Sequence, residues 1–337
     1  MDTQELSKRI RALAPEKRKL FARLLKEKGL SSSLVPREFN ETEQGPNRSA
    51  NIPREVVTDE DPDADDNPLS LSLSSSPADV KAMNRRFYNS VSKQLDSALF
   101  GSYSFFLNFG YVANSAEQHS RIKLPPHYLN KNCAKLIAEL VADCVLSERH
   151  LLDVGCGRGG TIHTIHRFYH PRVIVGMDLS SIAIAFCKRT HQNSEVSFLE
   201  GDAERLPFRN ETFDVVTNIE SSHSYPSIPD FYKNVFRVLK PGGNFLYTDL
   251  FGAGLVRERI KLLQEIGFIL EQERDVTANV LLSCDETART HLNAFSQKND
   301  TEVINNFLGV PGSQVYDEMK SGRSTYRIFK LAKMMAA

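Results

Sequence analysis

The residues best suited to chemistry begin at Asp153, where the apolar run Leu151-Leu152-Asp153-Val154 breaks into Gly155-Cys156-Gly157-Arg158-Gly159-Gly160. A Gly-x-Gly-x-Gly loop between a strand and a helix lets backbone approach a ligand closely. The helix behind it adds unpaired N–H groups and a partial positive charge. By itself such a loop suits several nucleotide-binding folds. A second acid, Asp178, closes Val175-Gly176-Met177-Asp178, where an open α/β fold uses a carboxylate to hold ribose hydroxyls. A third, Asp202, follows Glu200-Gly201 and is suited to accept a hydrogen bond from an adenine amino group. Asp153 and Asp178 also have a plainer use, capping helices or accepting backbone N–H groups.

Further along, Asn218-Ile219-Glu220-Ser221-Ser222-His223 follows a fourth apolar strand, and open α/β folds place their ligands at such carboxyl ends. His223 is suited to general-base work, because an unperturbed imidazole titrates near neutrality. Glu220 is suited to orient the ring or to stabilise the imidazolium, as a carboxylate does in catalytic triads. The alternative is that both only hydrogen-bond within a loop. His291, in an expected helix over 285–295, is a rival base. His163, His166 and His170 share one helix face but lack a carboxylate or cysteine partner, so no metal is expected. Cys133, Cys144, Cys156, Cys187 and Cys284 form no C-x-x-C pair, which suits reduced thiols in a cytoplasmic protein.

The elements that must position these residues follow from periodicity. Strands are expected at 172–176, 196–200, 213–218, 244–249, 268–275 and 325–331, after the glycine-loop strand, with helices between most of them. That alternation predicts βαβ units and a mostly parallel sheet. A helix over 130–146 leads into the first strand. Before it, 78–114 is rich in aromatics, including Phe87, Tyr88, Phe105, Phe106 and Phe109, suited to cover a pocket or fill a core. Residues 1–30 read as a helical hairpin, basic with nine Lys/Arg against four Asp/Glu, and too small to bury much surface alone. Residues 31–77 read as a disordered linker, since six of the eight residues 59–66 are acidic and 70–77 is Ser-rich. The remaining 78–337 is expected to be one folded domain.

Lys+Arg and Asp+Glu both number 42, so no global charge argues for nucleic acid. No apolar run is long enough for a membrane span, and the charged N-terminus lacks the core of a signal peptide.

In order, the glycine loop, Asp178, Asp202-Ala203, Phe213-Asp214-Val215-Val216 and Lys240-Pro241-Gly242-Gly243 resemble the class I S-adenosylmethionine-dependent methyltransferases over about residues 87–333. The resemblance implies a Rossmann-like α/β fold: a seven-stranded, mostly parallel sheet with helices on both faces and an N-terminal helical lid. It implies S-adenosylmethionine as cofactor, with Gly155, Gly157 and Gly159 around its methionine part. Asp178 would hold the ribose, Asp202 with Ala203 the adenine, and Asp153, Leu179 and Asn218 complete that site. Glu220 is then open to touching the cofactor instead. A dehydrogenase reading is weaker, because the glycine spacing and the Lys-Pro-Gly-Gly turn favour methyl transfer.

The segment 218–226 and the tail containing Phe307-Leu308-Gly309-Val310-Pro311-Gly312 resemble the phthiotriol dimycocerosate and polyketide/nonribosomal peptide O-methyltransferases. The expected function is O-methylation of a hydroxyl on a polyketide, peptide–polyketide or lipid intermediate of secondary metabolism, with His223 as base. C- or N-methylation and a non-catalytic cofactor-binding role stay open beside it. The run 13–25 is similar to docking or linker helices of synthases, implying a synthase or carrier-protein partner; its alternative is a hairpin packed on its own domain.

Overall fold

The computed structural model describes residues 76–97, 104–114, 122–125, 128, 130–294 and 301–334. All fall in the second of the two units into which the chain divides, Asn67–Ala337. The expected hairpin over 1–30, and all but the end of the expected linker, lie outside the described residues.

Seven strands make one sheet: β1 (His150–Val154), β2 (Val173–Asp178), β3 (Val196–Glu200), β4 (Phe213–Ile219), β5 (Leu239–Gly252), β6 (Phe268–Asp275) and β7 (Ser324–Lys333). Their order is β3-β2-β1-β4-β5-β7-β6. Neighbours from β3 to β5 are parallel, and β7 runs antiparallel to both β5 and β6. The order reverses between β1 and β4, which opens a crevice at their carboxyl ends. The described helices are α1 (Pro77–Ser97), α2 (Lys131–Val141), α3 (Gly160–Tyr169), α4 (Ser181–Thr190), α5 (Ile228–Val238), α6 (Val256–Ile266), α7 (Thr277–Ala294), α8 (Thr301–Leu308) and α9 (Gln314–Lys320). This is the Rossmann-like architecture that the motifs imply. No described helix is long and apolar enough to cross a membrane.

β1 puts apolar residues on both of its faces because both faces of the sheet are covered. Leu151 packs in one layer with Leu136 and Ile137 of α2 and Ile162 of α3. Leu152 and Val154 turn to the other, with Phe231 and Val235 of α5, as the two-residue strand period requires. α5 starts where Ser227 Oγ accepts a hydrogen bond from Asp230 N–H, with Pro229 in its first turn.

The layout differs from the expected one at several bounds: α2 ends at Val141 instead of 146, α7 begins at Thr277 instead of 285, and β5 departs at both ends. The Lys240-Pro241-Gly242-Gly243 turn lies inside β5 rather than before it. Leu239 already pairs with Phe213, and the next pair is Val215 with Asn244, so 240–243 loop out as a bulge, helped by Gly242 at φ 76°. At its far end β5 runs past the expected 249 to Gly252, because β7 keeps pairing with it as far as Ser324. That extension holds Asp249 within paired strand instead of at a loose end.

Candidate active site

The glycine loop is tied to the second strand. Gly155 and Cys156 N–H both donate to Met177 O, at 2.8 and 3.0 Å. Asp178 then receives Gly157 N–H on Oδ2 and Ser180 N–H on Oδ1, each at 2.8 Å. Burial raises its carboxyl pKa, and these backbone donors work against that rise. Gly155 holds φ +71°, and a β-carbon there would overlap Ser221 Oγ and lie 2.8 Å from Tyr225 Oη. Gly155→Ala is therefore expected to cost roughly 1–3 kcal/mol of stability and to displace the segment after β4. Thermal unfolding of the purified variant checks this, and an unchanged midpoint would refute it.

Loop and strand ends open on a cavity of ≈ 450 Å³. Six of the nine expected cofactor residues line it: Gly155, Gly157, Asp178, Leu179, Asp202 and Ala203. The other three do not line it. Asp153 is 1% exposed and accepts a bond from Thr217 Oγ1 at 2.7 Å. Burial, opposed by that bond and reinforced by the charge of Asp178, pushes its carboxyl up to about 7. Asn218 Nδ2 donates to Val154 O at 2.8 Å and Tyr225 Oη at 3.1 Å. Gly159, at φ +80°, makes room for His191, whose ring a β-carbon would approach to 2.7 Å. These three support the loop from behind, because β1 and β4 turn Asp153 and Asn218 into the buried sheet.

α1 closes the cavity. Its Lys81 Nζ lies 2.7 Å from Asp202 Oδ2 and 2.5 Å from Glu204 Oε2. Asn84 Nδ2 donates to Ser224 O at 2.6 Å, and Ser180 Oγ donates to Asn89 Oδ1 at 2.7 Å. From the glycine loop, the fully buried Arg158 donates to Ser92 O, Ser104 O and Asp96 Oδ1 and sits 3.5 Å over the Phe186 ring. The aromatic N-terminal segment thus serves as the expected cover: Phe87, Tyr88, Phe105, Phe106 and Phe109 all line the cavity.

The parallel register between β4 and β5 decides the chemistry at the opposite end. It pairs Asn218 with Tyr247 and Ile219 with Thr248, so the 3₁₀ turn Ser222–Ser224 folds over Asp249. His223 Nδ1 lies 2.7 Å from Asp249 Oδ1, and the His223 N–H reaches Oδ2 at 3.1 Å. Ser222 Oγ donates to Oδ2 at 2.6 Å and the Leu250 N–H to Oδ1 at 2.8 Å. Burial disfavours the Asp249 anion, but the field and hydrogen bond of His223 and the Ser222 and Leu250 donors hold its pKa below the usual value. With Asp249 ionised, the ring proton belongs on Nδ1, which leaves Nε2 as the basic nitrogen. Burial alone would lower the imidazole pKa; the charge and hydrogen bond of Asp249, with Glu220 behind, reverse this and raise it. The side chain remains 46% exposed and lines the cavity.

The carboxylate on His223 is therefore Asp249, a correction to the expected Glu220. Glu220 Oε1 is occupied by Phe109 N–H at 2.8 Å and Tyr326 Oη at 2.5 Å. Tyr326 reaches it because antiparallel β7 sets Tyr326 opposite Leu250. Burial, with the charge of Asp249 nearby, raises the Glu220 carboxyl to about 8 against these bonds and the attraction of His223. Sequence reasoning missed Asp249, although its place at the carboxyl end of an expected strand beside the switch point was a usable signal. It also missed Lys81, Arg158 and Tyr326, whose roles depend on distant partners. The rival His291 lies on α7, but its side chain is outside the described residues. His163 packs against Phe105 with ring centroids 5.0 Å apart; burial, then neighbouring positive groups, lower it to about 4.

A protein family described as a methyltransferase domain matches residues 152–247, which span the loop, the acids and the His223 turn. Phthiotriol/phenolphthiotriol dimycocerosates methyltransferase of Mycobacterium leprae is 39% identical over 196 residues, 56% of this chain and 71% of the relative. The chain belongs to the class I S-adenosylmethionine-dependent methyltransferases. The fatty-acid O-methyltransferase of Mycolicibacterium smegmatis is 30% identical over 233 residues, 68% of this methyltransferase and 83% of the relative. Among solved structures, the [4+2]-cyclase SpnF has a TM-score of 0.61 at 20% identity, covering 76% of this chain and 97% of its own. Geranyl diphosphate C-methyltransferase of Streptomyces coelicolor reaches 0.56 at 17% identity, covering 77% and 100%. These likenesses carry the fold of the methyltransferase.

The cavity fits the cofactor that membership brings. Asp178 and Asp202 put carboxylates on its wall that suit hydroxyl and amino donors, beside the Gly155 and Gly157 backbone that a ligand can approach.

Proposed function

We propose that this methyltransferase methylates an oxygen of an apolar, lipid- or polyketide-like acceptor, with His223 as base. The observation that carries the reading is the 2.7 Å His223–Asp249 contact in a ring that lines the cavity also walled by the glycine loop. When bound, S-adenosylmethionine supplies an electrophilic methyl carbon that leaves sulfur for the attacking oxygen. Gly155, Gly157, Asp178, Leu179, Asp202 and Ala203 would hold it. His223 Nε2 takes the hydroxyl proton, because an alcohol is a weak nucleophile near neutral pH. In the neutral ring Asp249 holds the proton on Nδ1, which leaves Nε2 as the free nitrogen, and it stabilises the imidazolium afterwards. α1 and the aromatic segment exclude water and align donor with acceptor, the main requirement of an in-line displacement.

Apolar groups support the acceptor class. Met83 and Phe87 of α1, Val303 and Phe307 of α8 and Val315 of α9 line the cavity, and the Phe87 and Phe307 rings meet edge-on at 5.9 Å. Relatives named for a phthiotriol lipid and for fatty acids agree with such a lining. The basic segment 1–30 is proposed to bring the enzyme to a synthase or carrier protein.

Two measurements test the reading. Mass analysis of products from long-chain alcohols and fatty acids is expected to find the methyl group on oxygen; transfer only to carbon or nitrogen would overturn it. Asp178→Ala is expected to weaken S-adenosylmethionine binding by about 10- to 100-fold, as loss of a charged hydrogen-bond acceptor does. Calorimetric affinity equal to the wild type would remove Asp178 from the cofactor site.

A further inference from the structure

Glu220 is built for a task that holding the fold does not explain. Its backbone sits at φ +47°, a left-handed conformation that non-glycine residues adopt at a cost and that clusters at functional sites. Oε1 is bound by Phe109 N–H and Tyr326 Oη. Among the described residues no hydrogen bond reaches Oε2, the atom is not fully buried, and Glu220 lines the same cavity as His223. The carboxyl is thus anchored through one oxygen and offers the other to the ligand space beside the base.

We propose that Glu220 reads a second oxygen on the methyl acceptor, carried on or next to the carbon that bears the methylated oxygen. The chemical class is a vicinal diol, a hydroxy-carbonyl compound or a carboxylic acid, rather than a simple alcohol. The proposal rests on O-methylation with His223 as base, and it adds a specificity group to that site. Burial favours the neutral acid, which gives Oε2 a hydroxyl able to donate to a carbonyl or hydroxyl oxygen. The titratable groups around it are Asp249 and His223 from β5 and the 3₁₀ turn, Tyr326 from β7, Tyr88 from α1, Cys133 from α2 and Cys284 from α7. Both oxygens of Glu220 would then be used, one by the protein and one by the acceptor.

Matched probes separate the outcomes. The full chain is given S-adenosylmethionine with hexadecane-1,2-diol or hexadecan-1-ol, and kcat/KM is measured for each. The wild type is expected to prefer the diol by about 10- to 100-fold, the effect of leaving one hydrogen-bonding group unpaired with the analogue. Glu220→Gln keeps a donor at the Oε2 position and should retain most of that preference. In Glu220→Leu the diol-to-alcohol ratio of kcat/KM should fall toward one, whatever change the two rates share, with cofactor still bound by calorimetry. Equal rates on both probes in the wild type overturn the proposal and leave O-methylation standing, a result that needs no variant to fold. An undiminished preference in a folded Glu220→Leu overturns it as well. No oxygen-methylated product from either probe, with cofactor bound, overturns it together with the reading beneath it.

Discussion

His223→Ala is expected to lower kcat by roughly 10²- to 10⁴-fold, the range that a positioned general base contributes. The affinity for S-adenosylmethionine should stay within about threefold of wild type, an effect below 1 kcal/mol. The two readouts separate because the imidazole hydrogen-bonds Asp249, whereas the glycine loop is braced by Met177, Asp178 and Arg158. Single-turnover kinetics with a long-chain hydroxyl acceptor, alongside calorimetric cofactor binding, measures both. A near-normal rate on an accepted substrate would reject His223 as base. The wild-type pH profile carries the same information with a definite sign. The His223 pKa is raised above its ordinary 6.5, so the free base predominates only above that raised value. As pH falls through it, Nε2 gains a proton and kcat/KM should fall with it.

Asp249→Asn is expected to cost about as much, roughly 10²- to 10⁴-fold in kcat, for a different reason. The amide keeps the shape of the carboxyl but removes the charge that fixes the ring proton on Nδ1. If the introduced amide turns its N–H₂ toward the ring, Nδ1 becomes the acceptor and the proton moves to Nε2, where it blocks base function. The residual activity carries the diagnostic signature. Burial lowers the imidazole pKa and Asp249 is what raises it, so its removal should shift the acidic limb of kcat/KM to lower pH. Nitrogen-15 NMR of the imidazole would report the tautomer directly. A limb that stays in place in the variant would show that Asp249 does not set the basicity of His223.

Ser222 and two buried tyrosines add a supporting chain behind Asp249. Ser222 has one hydroxyl proton, given to Asp249, so its 2.5 Å contact with Tyr247 Oη must be donated by the tyrosine. Tyr247 in turn accepts from Tyr232 at 3.2 Å. Every hydroxyl in the chain points its donor toward the carboxylate, which favours the anion that His223 needs.

Much of this architecture is legible along the chain. The 172–176, 196–200 and 268–275 segments needed only two-residue periodicity or short apolar runs bounded by turns, and β3 and β6 match to the residue. The bulge at 240–243 was not legible, because Lys-Pro-Gly-Gly reads as a turn whether or not Leu239 pairs across to Phe213. Asp153, Gly159 and Asn218 look like ligand residues in sequence because loop floor and loop surface share the same glycines and acids. Only burial separates them: Asp153 and Asn218 are 1% and 0% exposed, whereas Asp178 faces the cavity.

The sequence by itself determined the family of this protein and with it the cofactor. A glycine loop, an acid on the next strand and another on the third are local patterns, each set by a strand end and the turn after it. Tertiary structure alone decided which partners His223 and Glu220 take. Glu220 lies three residues from His223, yet its partner is Tyr326 from an antiparallel strand over a hundred positions away, while His223 takes Asp249 from the neighbouring parallel strand. Side chains at strand ends meet according to register and strand order, which depend on how the whole sheet packs. Adjacency along the chain carries no record of that choice.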